Sequence, residues 1–390
     1  MLVNLANFLI FFAYYLLIPT LPIYIVDNFH TSHSLAGIVI SLYLFAAILI
    51  RPFFAYLADN LNRKTIYLVA FFAFSIFFAG YIFTASLALF ALIRIFHGLA
   101  FGSAHTASYT VAVDVVSPER RGEGIAYFGI SNTASMAVAP ICALYIYKNY
   151  SFEIIFYAAL IISCLGFISA LFVKVPQIAK KSLKSSVFSL NKFIVLKAIN
   201  IAAVFIFIAV PYGLIITYIS YYGKHIGILD TSGNFFILFA SAIIAARIFA
   251  SIFISFKNVT SLVRFSASLI IVSMALLFFA DKLPYQKAIF YISALISGMG
   301  FGISMPSFNY IFVQLASRKR RAAANSTFLT SLDIGIMLAT ITGGKITDIF
   351  GFSSIYMFGS ATAFIALMFF IYLSKNNSTM IAFGNKTNAR

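Results

Sequence analysis

Twelve long apolar stretches, separated by short polar loops, constrain this chain more than any other feature of its sequence. About 20 residues that rise ~1.5 Å each are needed to cross the hydrocarbon layer of a membrane. Strand-like alternation is absent, so helices rather than a barrel are expected to satisfy the backbone. We therefore predict an all-α membrane protein with spans at about 2–26, 34–58, 65–85, 87–112, 123–147, 152–173, 194–223, 231–256, 260–280, 287–313, 322–347 and 352–374.

The composition agrees with lipid as the solvent of the chain, because only 9% of its 390 residues are charged and 62% are hydrophobic. A soluble protein of this size needs about a quarter of its residues charged. The net charge of +17 raises the possibility of nucleic acid, but most of the 27 lysines and arginines fall in loops on one side. This bias follows the positive-inside rule and predicts that both termini are cytoplasmic. We expect an integral protein of a bacterial inner membrane, in contact with lipid and with no nucleic-acid partner.

The two cysteines and the N-terminus give little further information. Cys142 and Cys164 both fall within predicted spans, so we expect buried free thiols and no disulfide. The first span begins almost at Met1 without a basic flank, which predicts no cleavable signal peptide. Nothing indicates a cofactor, and we expect the protein to act as a monomer.

The sequence repeats itself at an offset of 200 residues. Gly98, Phe101 and Gly102 recur as Gly298, Phe301 and Gly302, and the arginine pair Arg120–Arg121 recurs as Arg320–Arg321. Earlier in the chain the offset is 196, where Gly37 and Arg51 pair with Gly233 and Arg247. The small residues around Gly98 and Gly298 are expected to let another helix approach closely. Such tandem halves are typical of secondary transporters, which hold a site between two bundles. We predict two pseudo-symmetric six-helix bundles, at residues 1–174 and 192–374, joined by a linker at 175–191 and followed by a tail at 375–390.

The loop after the second span carries a recognisable signature. It reads Ala55-Tyr-Leu-Ala-Asp59-Asn-Leu-Asn-Arg63-Lys64, and this resembles the Gly-x-Leu-Ala-Asp-Arg-x-Gly-Arg-Lys loop of the major facilitator superfamily. Asn60, Asn62 and Ala55 depart from that pattern. The resemblance, which covers essentially the whole chain, implies that Asp59 contacts segment eleven and locks one conformation. We expect Asp114 to pair with Arg63, which gives a conformational gate made of Asp59, Arg63, Lys64, Asp114, Arg120 and Arg121.

Segment four carries a charge inside the membrane. Arg94 lies roughly seven residues from the start of that span, where a charge is costly and usually functional. Its spacing of three from His97 puts both side chains on one helix face. In the family that this segment resembles, through Arg-x-x-Gln-Gly-x-Gly, the arginine is associated with proton coupling or with substrate. His97 replaces the glutamine and adds a titratable group, although a packing role remains open for His97 and for His105.

Asp333 is the one acidic residue that the sequence places deep in the membrane. Segment eleven enters from the arginine-rich loop, so Asp333 is predicted to lie ~16 Å along it, near the midplane. An isolated carboxylate there must be protonated or paired, and proton relays use such groups. We predict that Asp333 is the protonation site and that Arg94 tunes its proton affinity; a structural pair with a neighbouring helix is the alternative.

Segment five carries a remnant of the signature of the drug–proton antiporter branch, Gly-x8-Gly-x3-Gly-Pro-x2-Gly. Pro140 is retained, and each glycine is replaced by another small residue, namely Ala126, Ser135, Ala139 and Ala143. We expect Pro140 to bend its helix. The resemblance to an exporter is correspondingly partial.

Polar and aromatic side chains on segments one, four, seven and ten are the candidates for substrate contact, since the family places these segments around its central cavity. Each of them could equally be a packed, hydrogen-bonded residue. The candidates are Asn7, Tyr14, Tyr15, His105, Tyr109, Tyr212, Tyr218 and Asn309.

Together these features predict a secondary transporter of the major facilitator fold that works by alternating access. Proton-coupled efflux of a small organic molecule, such as a drug, a metabolite or a siderophore-like compound, is the leading function. A proton symporter that imports a metabolite is the alternative, and a receptor or a polytopic enzyme is the alternative of another class. His30 and His33 lie in a short outer loop with little else to bind a metal, so no metal site is predicted. Arg94 and the two histidines favour a neutral, zwitterionic or anionic substrate.

Overall fold

The computed structural model describes residues 2–116, 121–175, 195–254, 259–316 and 321–376, and within these ranges it contains helices and no strand. The chain divides into two compact units, Met1–Phe188 and Ser189–Arg390, and the division falls inside the predicted linker. The first unit contains α1 (Leu2–Leu17), α2 (Leu21–Phe29), α3 (His33–Asn60), α4 (Arg63–Ile82), α5 (Leu87–Asp114), α6 (Arg121–Asn149) and α7 (Glu153–Leu171).

The second unit begins with a short 3-10 turn, Leu196–Ala198, that leads into its first long helix. Its helices are α8 (Ile199–His225), α9 (Leu229–Phe253), α10 (Val259–Phe279), α11 (Gln286–Leu315), α12 (Arg321–Phe350) and α13 (Ser354–Asn376). Eleven helices of the described residues are long and apolar enough to cross a membrane, and a bent helix pair at the N-terminus makes a twelfth span. The predicted all-α fold with twelve transmembrane segments is therefore confirmed.

The first span differs from the prediction, because it is two helices that meet at an angle of 40° rather than one helix. Pro19 lies in the break and Pro22 in the first turn of α2, and proline removes a backbone donor and disturbs the preceding turn. The Thr20 hydroxyl donates to the carbonyls of Leu16 and Leu17 at 3.2 Å each, which satisfies groups that the break releases. A backbone can leave helical geometry within a membrane where such bonds replace the lost ones.

The repeated glycines make the same helix crossing in each unit. In the first unit, a methyl group on Gly98 would overlap the backbone carbonyl of Tyr43, so α5 and α3 touch backbone to backbone. In the second unit, a methyl group on Gly298 would overlap the carbonyl of Phe239, which brings α11 against α9 in the same way. Small residues permit this close approach, as the sequence predicts.

An aromatic cluster beside each crossing is also duplicated. Tyr14 stacks on Phe101 with ring centres 4.9 Å apart, and it lies 5.8 Å from the ring of Tyr43. In the second unit Tyr212 lies 5.3 Å from the ring of Phe301 and 6.2 Å from that of Phe239. The repeat therefore preserves a packing unit of three helices, formed by α1, α3 and α5 in one half and by α8, α9 and α11 in the other.

The two cysteines are free, as predicted, but the prediction that both are buried is wrong. Cys142 is half-buried and Cys164 is exposed. Each helix at the edge of a bundle turns one side outward, so a position within a span need not be shielded by protein. The predicted linker from 176 onward and the tail from 377 lie outside the described residues.

Candidate functional site

Arg94 is a fully buried charged residue of the first unit, with 2% of its surface exposed. One terminal nitrogen, Nη2, donates to the backbone carbonyl of Ile40 at 3.2 Å, and the other, Nη1, donates to the hydroxyl of Tyr81 at 3.5 Å. The guanidinium carbon lies 4.2 Å from the centre of the Tyr43 ring, a cation–π contact. Among the described residues, no carboxylate contacts Arg94, so its charge is held by a carbonyl and two tyrosines.

His97 joins the same cluster, one turn further along α5. Its Nδ1 lies 3.0 Å from the Tyr81 hydroxyl, so Tyr81 bridges the arginine and the histidine. The ring is packed against Phe74 and Phe78, with centres 4.9 and 4.6 Å away. The structure therefore brings Arg94 and His97 together on one face of α5, as their spacing predicts.

A narrow crevice opens onto this cluster where the first span is broken. Its walls come from the end of α1 and the break on one side, and from α3, α4 and α5 on the other. Three buried polar atoms of its lining, Nε of Arg94, Nε2 of His97 and the hydroxyl of Tyr43, have no hydrogen-bond partner among the described residues. The lining residues are Tyr14, Leu17, Ile18, Tyr43, Phe78, Arg94 and His97.

His105 lies on the same helix, about two turns nearer its C-terminal end, and contacts a second buried arginine. Its Nδ1 is 3.4 Å from Nη2 of Arg51 on α3. In the second unit the equivalent arginine, Arg247, lies 3.8 Å from the sulfur of Met305, which occupies the position of His105 in the repeat. The arginine is thus duplicated, whereas its partner is polar in one unit and apolar in the other.

Asp333 lies in α12 of the second unit and is buried, with 8% of its surface exposed. Two residues further along, Gly335 lets α12 lie directly against the backbone of Ile206 on α8. The predicted depth of this carboxylate in the membrane remains a prediction. Its proton exchange, and its coupling to Arg94 of the first unit, remain predictions.

Among the charges predicted to form a gate, Arg63 and Asp114 form an ion pair between the start of α4 and the end of α5, as expected. Lys64 follows in the first turn of α4 and is half-buried; Asn62 caps this helix by accepting from the amides of Lys64 and Thr65. Arg120 lies outside the described residues, as do the side chains of Asp59 and Arg121. The gate itself therefore stays a prediction.

We expect Arg63→Gln and Asp114→Asn to destabilise the purified protein by similar amounts, and the double variant to be no worse than either single one. The reason is that the pair is shielded on both sides, with 21% and 10% of its side chains exposed. A coupling energy of about 1 kcal/mol is expected in a double-mutant cycle on thermal unfolding. Strictly additive effects would show that the two charges contribute independently.

The predicted substrate contacts are for the most part tied into their own unit. Tyr212 packs in the aromatic cluster described above, and Tyr109 lies against Phe128. Four others make hydrogen bonds to neighbouring helices: Asn7 donates to the carbonyl of Phe128 at 3.2 Å, Tyr15 to Asn132 at 3.2 Å, Tyr218 to the carbonyl of Thr340 at 2.6 Å, and Asn309 to Asn325 at 2.9 Å. Tyr14 differs from these because it also lines the crevice.

Sequence reasoning missed Tyr43 and Tyr81, which complete the Arg94 cluster. Tyr43 has one signal in the sequence, since it stands opposite Phe239 in the repeat and so adds a hydroxyl to a duplicated ring. Tyr81 lies at the end of α4, and nothing in the sequence distinguishes it from other interfacial tyrosines.

Pro140 lies inside α6, which continues as one helix through it.

Comparison with known proteins covers nearly the whole chain. The family model for the Major Facilitator Superfamily matches residues 3–311 and 265–387. The staphylopine export protein of Staphylococcus aureus is 21% identical over 355 residues, which is 87% of this chain and 87% of that protein. The quinolone resistance protein NorA of the same species is 24% identical over 370 residues, or 90% of each chain.

A solved structure shows the same architecture in a protein with little sequence likeness. The D-xylose-proton symporter superposes with a TM-score of 0.78 over 95% of both chains, at 15% identity. At this level of identity the match concerns the fold alone. It agrees with the order of helices found in each unit.

Proposed function

Since the chain belongs to the major facilitator superfamily and is thus a transporter rather than an enzyme, we propose that it exports a small organic molecule in exchange for protons. The observation that carries the proposal is the buried carboxylate Asp333 in α12. A carboxylate that protein and lipid surround is costly to keep charged, and such groups serve as proton carriers in membrane transporters. The efflux direction is favoured by the export and resistance proteins among the relatives.

The mechanism that we propose is alternating access, with each six-helix unit moving largely as one body. The crossings at Gly98 and Gly298 hold α5 against α3 and α11 against α9, with their backbones in direct contact. The arginine cluster of α5 has no counterpart in the second unit, where Ala294 stands at the position of Arg94 and Ser297 at that of His97. The duplicated residues supply the frame, and the unduplicated charges supply the coupling. Gating by the Arg63–Asp114 pair at the inner ends of the helices belongs to the same proposal.

The orientation in the membrane is also part of the proposal. Both termini face the cytoplasm, since the basic loops gather on one side. The relatives from bacteria favour a location in the inner membrane.

Untargeted metabolite profiling of cells and medium, with and without the gene, tests the proposal. An exporter leaves its substrate inside the cell when the gene is absent and raises its level in the medium when the gene is present. Everted membrane vesicles then receive the identified compound under an imposed pH gradient, where export appears as uptake that collapses with a protonophore. Loss of uptake by intact cells on deletion would instead establish an importer. No change in either compartment would contradict transport of a metabolite.

A further inference from the structure

We infer that the crevice at the break between α1 and α2 binds the carboxylate of an anionic or zwitterionic substrate. This rests on the proposed function, because it names the chemical class that the transporter carries. It begins from the three polar atoms of the lining that lack a partner among the described residues, namely Nε of Arg94, Nε2 of His97 and the Tyr43 hydroxyl. Their residues are buried to 98% or more.

The hydrogen bonds of Tyr81 fix which nitrogen of His97 carries hydrogen. The Tyr81 hydroxyl accepts from Arg94, and its own hydrogen then has the imidazole Nδ1 as its acceptor at 3.0 Å. If Nδ1 carried the only ring hydrogen, the hydroxyl would accept twice and its own hydrogen would be left without a partner. The neutral ring therefore carries its hydrogen on Nε2, and the protonated ring carries one there as well. In both states Nε2 is a donor.

Hydrogen-bond donors therefore predominate among the unpartnered polar atoms of the crevice. Nε of Arg94 and Nε2 of His97 can only donate, and the Tyr43 hydroxyl can add a third hydrogen. A ligand group that satisfies all three must accept, and a carboxylate accepts from several donors at once. An ammonium group would leave the N–H groups of Arg94 and His97 without an acceptor, and an amide, which accepts through its oxygen, would bring no negative charge to Arg94.

The charge of the site favours the same class of ligand. Arg94 has no carboxylate in contact within the described part of the chain, and a buried cation that lacks a counter-ion is costly. The acidic residues of this unit whose side chains the structure describes, Asp27, Asp114 and Glu153, lie at helix ends. A substrate carboxylate would supply the missing negative charge.

The packing of the unit shows which wall can move. The crevice is narrower than a water molecule in this conformation, so a ligand enters only if its walls separate. α1 packs mainly against α6 and α7, whereas α3 and α4 pack against α5. The crevice lies along the seam between these two groups, beside the break in the first span. A shift of α1 away from α3 and α5 would open the site, and it would separate the ring of Tyr14 from those of Tyr43 and Phe101.

Thermal unfolding of the purified full-length protein, with acetate and benzoate as probes, tests the inference. The uncharged controls are acetamide and benzamide, and potassium chloride at equal ionic strength is the blank. We expect the carboxylates to raise the unfolding temperature in a saturable way and the amides to leave it unchanged. Stabilisation by the amides as well, or by neither class, would overturn the inference.

Two variants then locate the site. Tyr43→Phe should weaken carboxylate binding about threefold to tenfold, the effect of one lost hydrogen bond, and Arg94→Gln should weaken it about tenfold or more. Tyr43→Phe is expected to fold, because Phe239 occupies the same place in the second unit. Tyr356→Phe is the control, since it removes an equally buried hydroxyl without a partner from the second unit. Equal affinity in Tyr43→Phe, Arg94→Gln and the wild type would overturn the assignment.

These outcomes can be separated from those of the proposed function, because binding in detergent needs neither a gradient nor turnover. Carboxylate binding by a protein that moves nothing in vesicles would contradict transport and leave the site in place. Proton-driven export of a compound without an anionic group, with no stabilisation by carboxylates, would contradict the site and leave transport in place.

Discussion

Asp333→Asn is expected to abolish accumulation driven by a pH gradient while leaving substrate exchange intact. Asparagine matches aspartate in size but cannot bind and release a proton, so the variant keeps the shape of α12 and loses the exchangeable proton. In vesicles, uptake under an imposed gradient should fall to the level measured without a gradient. Exchange of labelled for unlabelled substrate, which moves no net proton, should continue and thereby show that the protein is folded.

The control for this variant is Asp348→Asn, on the same helix. Asp348 is exposed near the C-terminal end of α12, close to the point where the helix ends at Phe350. Its neutralisation removes the same charge from the same element, and both transport modes should persist. If gradient-driven uptake by Asp333→Asn equalled that of the wild type and kept its pH profile, another group would be the proton carrier.

Gly98→Ala is expected to destabilise the protein by about 2 kcal/mol, within the usual range for overpacking a core. The added methyl group would overlap the carbonyl of Tyr43, and backbone atoms cannot turn away as a side chain can. The direction of the change in stability is informative, because alanine intrinsically stabilises a helix relative to glycine by about 1 kcal/mol. A lower unfolding temperature therefore reports the helix crossing. Gly298→Ala should behave alike, since the carbonyl of Phe239 lies in the equivalent place.

Gly80→Ala provides the matched control for both glycine variants. Gly80 is also within a helix, but its nearest neighbour is the flexible side chain of Ile93, at 3.3 Å from the position of an added methyl group. That side chain can shift, so the substitution should be neutral or slightly stabilising. Unfolding temperatures of the three purified variants make the comparison. Destabilisation by Gly80→Ala as large as that by Gly98→Ala would show that the crossing is not the cause.

The predictions that succeeded depend on local or repeated information. The length and hydropathy of each stretch are properties of a short window, and the solvent of the chain follows from them. The pairing of Arg63 with Asp114 could be predicted because a charged residue near the end of a span has few possible partners on its own side of the membrane. The helix crossings at the glycines could be predicted because a face of small residues recurs in both halves.

The predictions that failed or were missed concern contacts across the bundle. The break in the first span requires that Thr20 reach the carbonyls of Leu16 and Leu17, and the prolines alone left a kinked single helix equally possible. The exposure of Cys164 depends on which side of α7 faces outward. Neither fact is contained in the hydropathy of a segment.

The sequence by itself determined that lipid surrounds the chain, how many spans it has, that its two halves are related and which rare charges lie within the membrane. Each of these follows from composition or from the internal repeat. Only the tertiary structure decided what surrounds those charges. Tyr43 and Tyr81 lie on other helices than Arg94, and they contact it because α3 and α4 pack against α5. Helix packing thus places the two hydroxyls around one buried cation. An arginine whose burial is unfavourable by itself becomes part of a site with a defined set of hydrogen-bond donors.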